Sequence, residues 1–325
     1  MRRVTGLILA VLGIVLVAAA ILLPTYVSAQ IVKFPLDEST TATLAGTGVT
    51  YFSQTKLTEK TGASVRATYT IKGDAAAGSS STAVWNQTAS VQDVTNNLPV
   101  STQTRRFAFD RRTAVLVNCC GANVNGSHVH QTGIVGYVFP IGTKPQTYQV
   151  FDTTLNRAVP FTYEGTATTD GIGTYVFKEN VSPTQVTTIT VPGAFFHLQP
   201  KTVALPEMYE IHLTYWVDPR TGALLNVNED EKVTLRNPAN GATVAVLFDG
   251  DLVATPATVT EVVNLDSSGR TELWMLDTIG PIAAGAAGAL ALTSGIVLLA
   301  RKPRPRQGPR RKKTQRSSSR AASSR

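Results

Sequence analysis

The chain has 325 residues, among them 30 Lys and Arg, 22 Asp and Glu, 4 His and 2 Cys. Charged residues make up 16% and hydrophobic residues 43%, which excludes a largely disordered protein. Two cysteines exclude a disulfide-stapled mini-domain and a multi-finger zinc protein. Eleven basic residues follow Ala300, and every acidic residue lies between Asp37 and Asp277, so the middle of the chain is acidic. A nucleic-acid-binding face is therefore not expected there.

The N-terminus predicts a membrane anchor. Arg2 and Arg3 precede an uncharged apolar stretch, and about 20 helical residues cross a bilayer, so residues 4–23 are predicted as transmembrane helix 1 and residues 1–3 as cytoplasmic. A signal peptide cleaved after Ala29 is the alternative, since Val27-Ser28-Ala29 has small residues at suitable positions. The apolar stretch is longer than the usual signal core of about 7–15 residues, which favours an uncleaved anchor.

Residues 24–277 are predicted to form one large antiparallel β-rich domain, so the fold class is mainly β (α+β). The run from Val65 to Lys72 and the run from Tyr209 to Val217 alternate apolar and polar side chains, as half-buried strands do. A turn signal, Asp218-Pro219-Arg220-Thr221-Gly222, separates the latter run from the next strand. Further strands are predicted at 83–94, 100–109, 114–118, 173–178, 184–191, 223–236 and 242–248.

Cys119 and Cys120 are adjacent and precede Gly121. They could form a strained vicinal disulfide, because consecutive Cα atoms lie only about 3.8 Å apart, or they could remain as one buried and one exposed thiol. A redox role is a further alternative, since strained disulfides are reduced more easily.

His128 and His130 follow closely and would share one face of a strand, so they could bind zinc or copper together with a cysteine. The surrounding segment is rich in Gly and Asn, which favours exposed loop histidines instead. The acidic clusters Asn228–Glu231 and Asp249–Asp251 are interpreted as a solvated strand edge or turn rather than a calcium site. No metal or other cofactor is therefore predicted.

Near the end of the body, Thr255 and Pro256 predict an N-cap and the first position of a helix, which continues with breaks into a second span. Residues 278–300 are predicted as transmembrane helix 2, because Ile279 to Ala300 carries no charge. Its glycines at 285, 288 and 295 could form a close-packing face for another helix such as the first, although small residues are common in membrane helices.

Residues 301–325 form a basic tail that is predicted to be disordered and cytoplasmic. Because basic residues flank membrane helices on the cytoplasmic side, both termini are placed in the cytoplasm and the body outside, in a two-pass protein of the cell (plasma) membrane. The tail is expected to contact anionic lipid headgroups of the cytoplasmic membrane, with no specific nucleic acid. The basic residues concerned are Arg301, Lys302, Arg304, Arg306, Arg310, Arg311, Lys312, Lys313 and Arg316.

Several segments together resemble the actinobacterial DUF3068 family, also known as the porin PorA family. They are the N-terminal anchor, Cys119-Cys120-Gly121, and the runs 133–140, 147–152, 163–165, 175–177 and 216–222. The resemblance implies an envelope protein of Gram-positive actinobacteria with a large external domain held by helices at both ends. It carries no established catalytic residues.

The sequence favours a non-enzymatic membrane protein of the cell envelope whose external domain binds a lipid, an envelope glycan or a membrane protein partner. The motifs G-x-S-x-G, H-E-x-x-H and the P-loop are absent from the sequence. A porin or channel, as the family name implies, is the first alternative. An envelope enzyme or redox protein that uses Cys119, Cys120, His128 and His130 is the second.

Overall fold

The structure is a computed structural model that describes residues 2–196, 198–199 and 201–301. The chain forms two compact units, one of them residues 23–279 and the other the helices on either side. The α-helices are α1 (Arg2–Leu22), α2 (Ser28–Ile31), α3 (Pro256–Trp274) and α4 (Gly280–Ala300).

The helical unit consists of α1 packed against α4. A Cβ atom added at Gly13 would lie 2.8 Å from the carbonyl oxygen of Gly288, and one added at Gly295 would lie 2.8 Å from that of Gly6. Glycines thus permit the two backbones to approach closely, so two of the predicted positions do form a helix-packing face. By length and composition, both α1 and α4 qualify as membrane spans.

The π-helical turns Leu23–Val27 and Met275–Ile279 lie beside prolines. Pro24 lies within the first turn, and Pro281 follows the second. A proline lacks the N–H that the helix needs and its ring pushes away the carbonyl four residues earlier, which accounts for the wider turn. Pro281 is the second residue of α4 and lies inside a helical run from Pro256 to Ala300.

The unit of residues 23–279, which we call the body, is built on one antiparallel sheet. Its strands are β1 (Ser39–Ser53), β2 (Thr58–Gly73), β3 (Thr82–Asp93), β4 (Leu98–Asp110), β5 (Leu116–Val117), β6 (Asn123–Val124), β7 (Tyr148–Asp152), β8 (Arg157–Thr169), β9 (Ile172–Pro192), β10 (Thr202–Val217), β11 (Leu224–Arg236) and β12 (Thr243–Ala254). The order across the sheet is β5-β4-β3-β2-β1-β12-β11-β10-β9-β8-β7, and β6 pairs with β4. The prediction of a mainly β fold with helices at both ends is confirmed.

The sheet is curled, and a short segment from Gly133 to Val135 joins its two ends. On one side, the amide of Leu116 donates to the carbonyl oxygen of Gly133 at 2.9 Å. On the other, the amide of Ile134 donates to the carbonyl oxygen of Gln149 at 2.8 Å. Gly133 has a φ of +81°, and a Cβ there would lie 2.3 Å from that Gln149 oxygen, so only glycine fits.

Alternating side chains fill the inside of this curled sheet. On β4, Phe107 and Phe109 point inward with Trp85 of β3 and are almost completely buried. The Trp85 and Phe109 rings meet edge to face with centroids 4.7 Å apart. Each buried aromatic side chain contributes about 1.5–3 kcal/mol relative to exposure, so this cluster is a major source of the stability of the body.

Within the body, helix α3 is attached to the sheet and its turns by polar contacts. Thr255 caps it by accepting a hydrogen bond from the Thr258 amide, with Pro256 at its first position, as predicted. Further along the helix, Arg270 forms an ion pair with the buried Asp218 of the β10–β11 turn. The prediction of a helix that begins after Thr255 is confirmed.

The strand predictions differ from the structure in several places. The runs 173–178 and 184–191 belong to one strand, β9, because a shift in register opposite Tyr209–Ile211 accommodates Pro183. Of 114–118 only Leu116–Val117 is a strand. Strands β1, β6, β7 and β8 were not predicted; β1 is dominated by Thr, Ala and Gly, whose side chains make the apolar alternation weak.

Candidate functional site

The curled sheet lines a partly open cavity of about 260 Å³ within the body. Aliphatic and aromatic side chains form much of its wall, but acidic and phenolic groups also reach it. The carboxyl groups at the cavity are those of Asp152, Glu179, Glu229 and Glu231. The tyrosines are Tyr69, Tyr137, Tyr209 and Tyr215, and the basic residue in this lining, among the described residues, is Arg105.

The register of the strands brings two of the carboxyl groups to the same face. Leu213 on β10 is paired with Glu179 on β9 and with Glu229 on β11. Residues paired across strands point to the same side of a sheet, so both glutamates face the interior beside Leu213. With strands about 4.8 Å apart, their backbones are separated by about 10 Å.

Two of the carboxylates accept hydrogen bonds from tyrosines. The hydroxyl of Tyr69 donates to Glu229 Oε2 at 3.0 Å, and the hydroxyl of Tyr209 donates to Asp152 Oδ2 at 3.2 Å. Burial raises the pKa of Asp152 and of Glu229 above their ordinary values, despite these hydrogen bonds. Burial and the nearby carboxylates also raise the pKa of Tyr209, so its hydroxyl remains a donor.

Arg105 is buried but held in place. Its Nε donates to Gln131 Oε1 at 2.9 Å and its Nη1 to the carbonyl oxygen of Val135 at 3.2 Å. The guanidinium carbon lies 4.6 Å from the ring centroid of Phe107 and 5.0 Å from that of Phe151, within cation–π range. Burial lowers the pKa of Arg105 to about 10, which still leaves it charged at neutral pH. Its Nη2 has no hydrogen-bond partner among the residues described.

Glu179 is a buried acid at the cavity with an unsatisfied carboxylate oxygen. It is 2% exposed, and its Oε1 has no hydrogen-bond partner in the part of the chain that the structure describes. Burial, followed by the charges of Asp152 and Glu229, raises the pKa of Glu179 to about 8. Burial, followed by the charge of Glu229, likewise raises the pKa of Glu231 to about 8. The site therefore carries acidic groups that would gain from a positively charged partner.

The predicted cysteine element lies elsewhere. Cys119 and Cys120 are joined as a vicinal disulfide in the structure. Arg106 fixes this turn, since its Nε donates to the carbonyl oxygen of Cys120 at 2.8 Å and its Nη2 pairs with Asp74 at 2.8 Å. Within the described residues, the lining of the cavity includes neither cysteine.

The other predicted site residues are not brought into a common site. His128 and His130 are exposed and lie in an irregular segment. Across residues 2–196, 198–199 and 201–301, no three His, Cys, Asp or Glu side chains are close enough together to hold a metal ion. Of the basic tail, Arg301 is described and exposed. The remaining predicted positions, from Lys302 to Arg316, lie outside the described residues.

The cavity was not predicted from the sequence, although a signal for it exists. Glu229 and Glu231 had been interpreted as part of a solvated strand edge or turn, which is wrong. They line the cavity from β11, a central strand, because they alternate in phase with Val227 and Val233. Glu179 follows Phe177 in the same inward phase of β9. A charged residue at an apolar position of a strand is the sign that was missed.

Comparison with known proteins places these features in one family. A family model described as Porin PorA matches residues 5–297, which includes the whole body and most of both apolar helices. None of the curated proteins searched matches the chain.

Proposed function

The chain belongs to the Porin PorA family, and from this premise we propose that it is a double-anchored membrane protein of the cell envelope that binds a small polar ligand. The body lies outside the cytoplasm in this proposal, and its cavity is the binding site. The role is one of binding rather than catalysis.

Membrane anchoring is supported by the two apolar helices and by the family. The distribution of charge supports the orientation, since Arg2 and Arg3 flank α1 and eleven basic residues follow Ala300. Basic residues are retained on the cytoplasmic side of membrane helices. Both termini would then be cytoplasmic and the body, which carries the acidic residues, would be exported.

The observation that carries the binding role is the pair of buried polar atoms at the cavity. Glu179 Oε1 and Arg105 Nη2 lack hydrogen-bond partners among the described residues, and their side chains are 2% and 3% exposed. Leaving such a group unsatisfied costs about 1–3 kcal/mol, so a ligand that supplies partners would bind favourably. Among the ligands that the sequence favoured, this polar lining fits a sugar unit or a headgroup better than a lipid chain.

A ligand-filled cavity can be tested by native mass spectrometry of the full chain purified from its own membrane. Ala89 lines the cavity, and Ala89→Phe would fill it without removing a polar group. Thr88→Phe is the matched control, since Thr88 is the exposed neighbour on the other face of β3. We expect a bound small molecule on the wild-type chain and on Thr88→Phe but not on Ala89→Phe. A wild-type chain without a bound molecule, or one retained by Ala89→Phe, contradicts the proposal.

A channel is the second candidate, favoured by the description of the family. The strands of the body would not face lipid in such a channel, since β2 exposes Arg66 and Lys72 on its outer face. A lipid-facing barrel needs an apolar outer band. Conductance of the purified chain in planar bilayers distinguishes the two candidates, because discrete current steps would favour the channel.

A further inference from the structure

We infer that the cavity binds a small organic cation, with an ammonium group on a short skeleton placed beside Glu179. This inference rests on the proposed binding function and specifies the class of the ligand. It follows from the charge of the lining, from the groups that are already paired and from the rings that surround them.

The lining is acidic. Asp152, Glu179, Glu229 and Glu231 reach the cavity, whereas Arg105 is the basic residue among the described lining residues. Arg105 does not neutralise them all, because it is directed by Gln131, the Val135 carbonyl oxygen and the two aromatic rings. Repulsion between the carboxylates favours their protonated forms. A ligand with positive charge would reduce this repulsion.

The carboxylates differ in how well they are satisfied. Asp152 accepts from the amides of Thr154 and Leu155, both at 2.7 Å, as well as from Tyr209. Glu229 accepts from Tyr69. Glu179 Oε1 is the buried acidic oxygen at the cavity that has no donor among the described residues. The open position for a cationic donor is therefore at Glu179, with Glu229 nearby on the same face.

Aromatic groups favour an organic cation over a hydrated ion. Tyr69, Tyr137, Tyr209 and Tyr215 line the cavity, and the faces of such rings attract ammonium groups by about 0.5–2 kcal/mol. A metal ion fits poorly, since no three metal-binding side chains converge anywhere in the described residues. The cavity volume of about 260 Å³ restricts the ligand to a small molecule.

Arg105 indicates a second group on the ligand. Arg105 lines the same cavity, and its buried Nη2 has no acceptor among the described residues. An oxygen of the ligand, such as a hydroxyl, would satisfy it while the ammonium group contacts Glu179. Ethanolamine has both groups on a short skeleton, and the N–H groups of its ammonium supply the donor that Glu179 Oε1 lacks, so it is a suitable probe.

The test is isothermal titration calorimetry on the full chain in detergent micelles at pH 8. The cations are ethanolamine, choline and phenethylamine, and the neutral control is n-propanol, in which a methyl group replaces the ammonium group of ethanolamine. We expect ethanolamine to bind at least about tenfold more tightly than n-propanol, as a hydrogen bond between charged groups contributes about 1.5–3 kcal/mol. Glu179→Gln should remove most of that preference, whereas Glu164→Gln, at an exposed position on β8, should retain it.

The outcomes separate this inference from the proposed function. Equal binding of ethanolamine and n-propanol would overturn the inference of a cationic ligand but would leave a binding cavity. A failure of all three cations to bind would also overturn it, and the native mass spectrum would then report whether a neutral molecule is bound instead. Circular dichroism of Glu179→Gln checks that the variant is folded, so a lost preference reports the missing carboxylate.

Discussion

Tyr69 and Glu229 meet across the interior of the curled sheet, where the Tyr69 hydroxyl donates to Glu229 Oε2 at 3.0 Å. Tyr69 lies on β2 and Glu229 on β11, and the strands β1 and β12 lie between these two in the sheet. The contact therefore connects opposite walls of the cavity and does not join side chains on adjacent, hydrogen-bonded strands. It also leaves one oxygen of Glu229 available to the interior.

Tyr69→Phe should destabilise the body by about 1–3 kcal/mol, because it leaves a buried carboxylate oxygen without its donor. The change is measured as the shift of the urea unfolding midpoint of the full chain in micelles, followed by tryptophan fluorescence. Tyr163→Phe is the control, since it retains the ring contacts with Tyr175 and Phe177. Equal midpoints for Tyr69→Phe and the wild type would show that this contact contributes nothing.

The stability of the body should decrease as the pH rises through about 8. Burial raises the pKa of Glu179 and Glu231 to about 8 in the folded state, while an unfolded glutamate titrates near about 4.3. Between these two pKa values the folded state therefore binds more protons than the unfolded state. The stability that this difference contributes is fully present below the lower pKa and is lost as the pH rises through the upper pKa. Asp152 and Glu229 face the same interior, and burial raises the pKa of both in the same direction.

Glu179→Gln isolates one contribution to this pH dependence. Glutamine cannot ionise, so the variant should lose less stability than the wild type between pH 5 and pH 9 and exceed it at pH 9 by at least about 1 kcal/mol. Urea midpoints across the pH range measure both effects. An unchanged slope in Glu179→Gln, equal to that of Glu164→Gln, would refute the assignment of a buried acid at this position.

Gly13→Leu should separate the helices α1 and α4. A Cβ at Gly13 would lie 2.7 Å from the Leu292 amide nitrogen and 2.8 Å from the Gly288 carbonyl oxygen, so any larger side chain collides with backbone. Overpacking of this kind costs about 1–3 kcal/mol or more. Thermal unfolding of the full chain in micelles should begin at a lower temperature. Ala18→Leu, at an exposed position of α1, should unfold like the wild type.

The cysteines allow the orientation of the body to be measured. Cys119 and Cys120 are the two cysteines of the chain and form a disulfide. After treatment with a membrane-impermeant reductant, an impermeant maleimide should label them in intact spheroplasts. As a control, Ser317→Cys in a chain with both native cysteines replaced by serine should be labelled only after permeabilisation. Labelling of the tail and not of the body in intact spheroplasts would reverse the proposed topology.

The large features of the fold follow from local patterns that the sequence displays. Uncharged stretches predicted α1 and α4, period-two alternation predicted β2 and much of β10, and Thr255-Pro256 predicted the start of α3. Strands such as β1 were not predicted because Thr, Ala and Gly give little contrast in hydrophobicity between the two faces of a strand. Their pairing with apolar neighbours, such as Leu44 with Ala67, determines which face is buried.

The cavity could not be predicted in the same way, since it depends on contacts between distant segments. Glu179, Arg105 and Tyr69 come from β9, β4 and β2, and only the curling of the sheet brings them to one interior. The adjacent cysteines and the histidine pair were conspicuous in the sequence, yet the described cavity lining contains none of them. The proximity of reactive or metal-binding side chains in the sequence was therefore a poor indication of where the candidate site lies.

The segment that joins the ends of the sheet also affects how neighbouring copies behave. Gly133 and Ile134 already engage the amide of Leu116, the carbonyl of Gln149 and the amide of Phe151. Those groups would otherwise be a template for strand exchange or fibril growth between copies crowded on a surface. Any larger residue at Gly133 would break these hydrogen bonds between the ends of the sheet, so such a variant would tend to aggregate even where its cavity was intact.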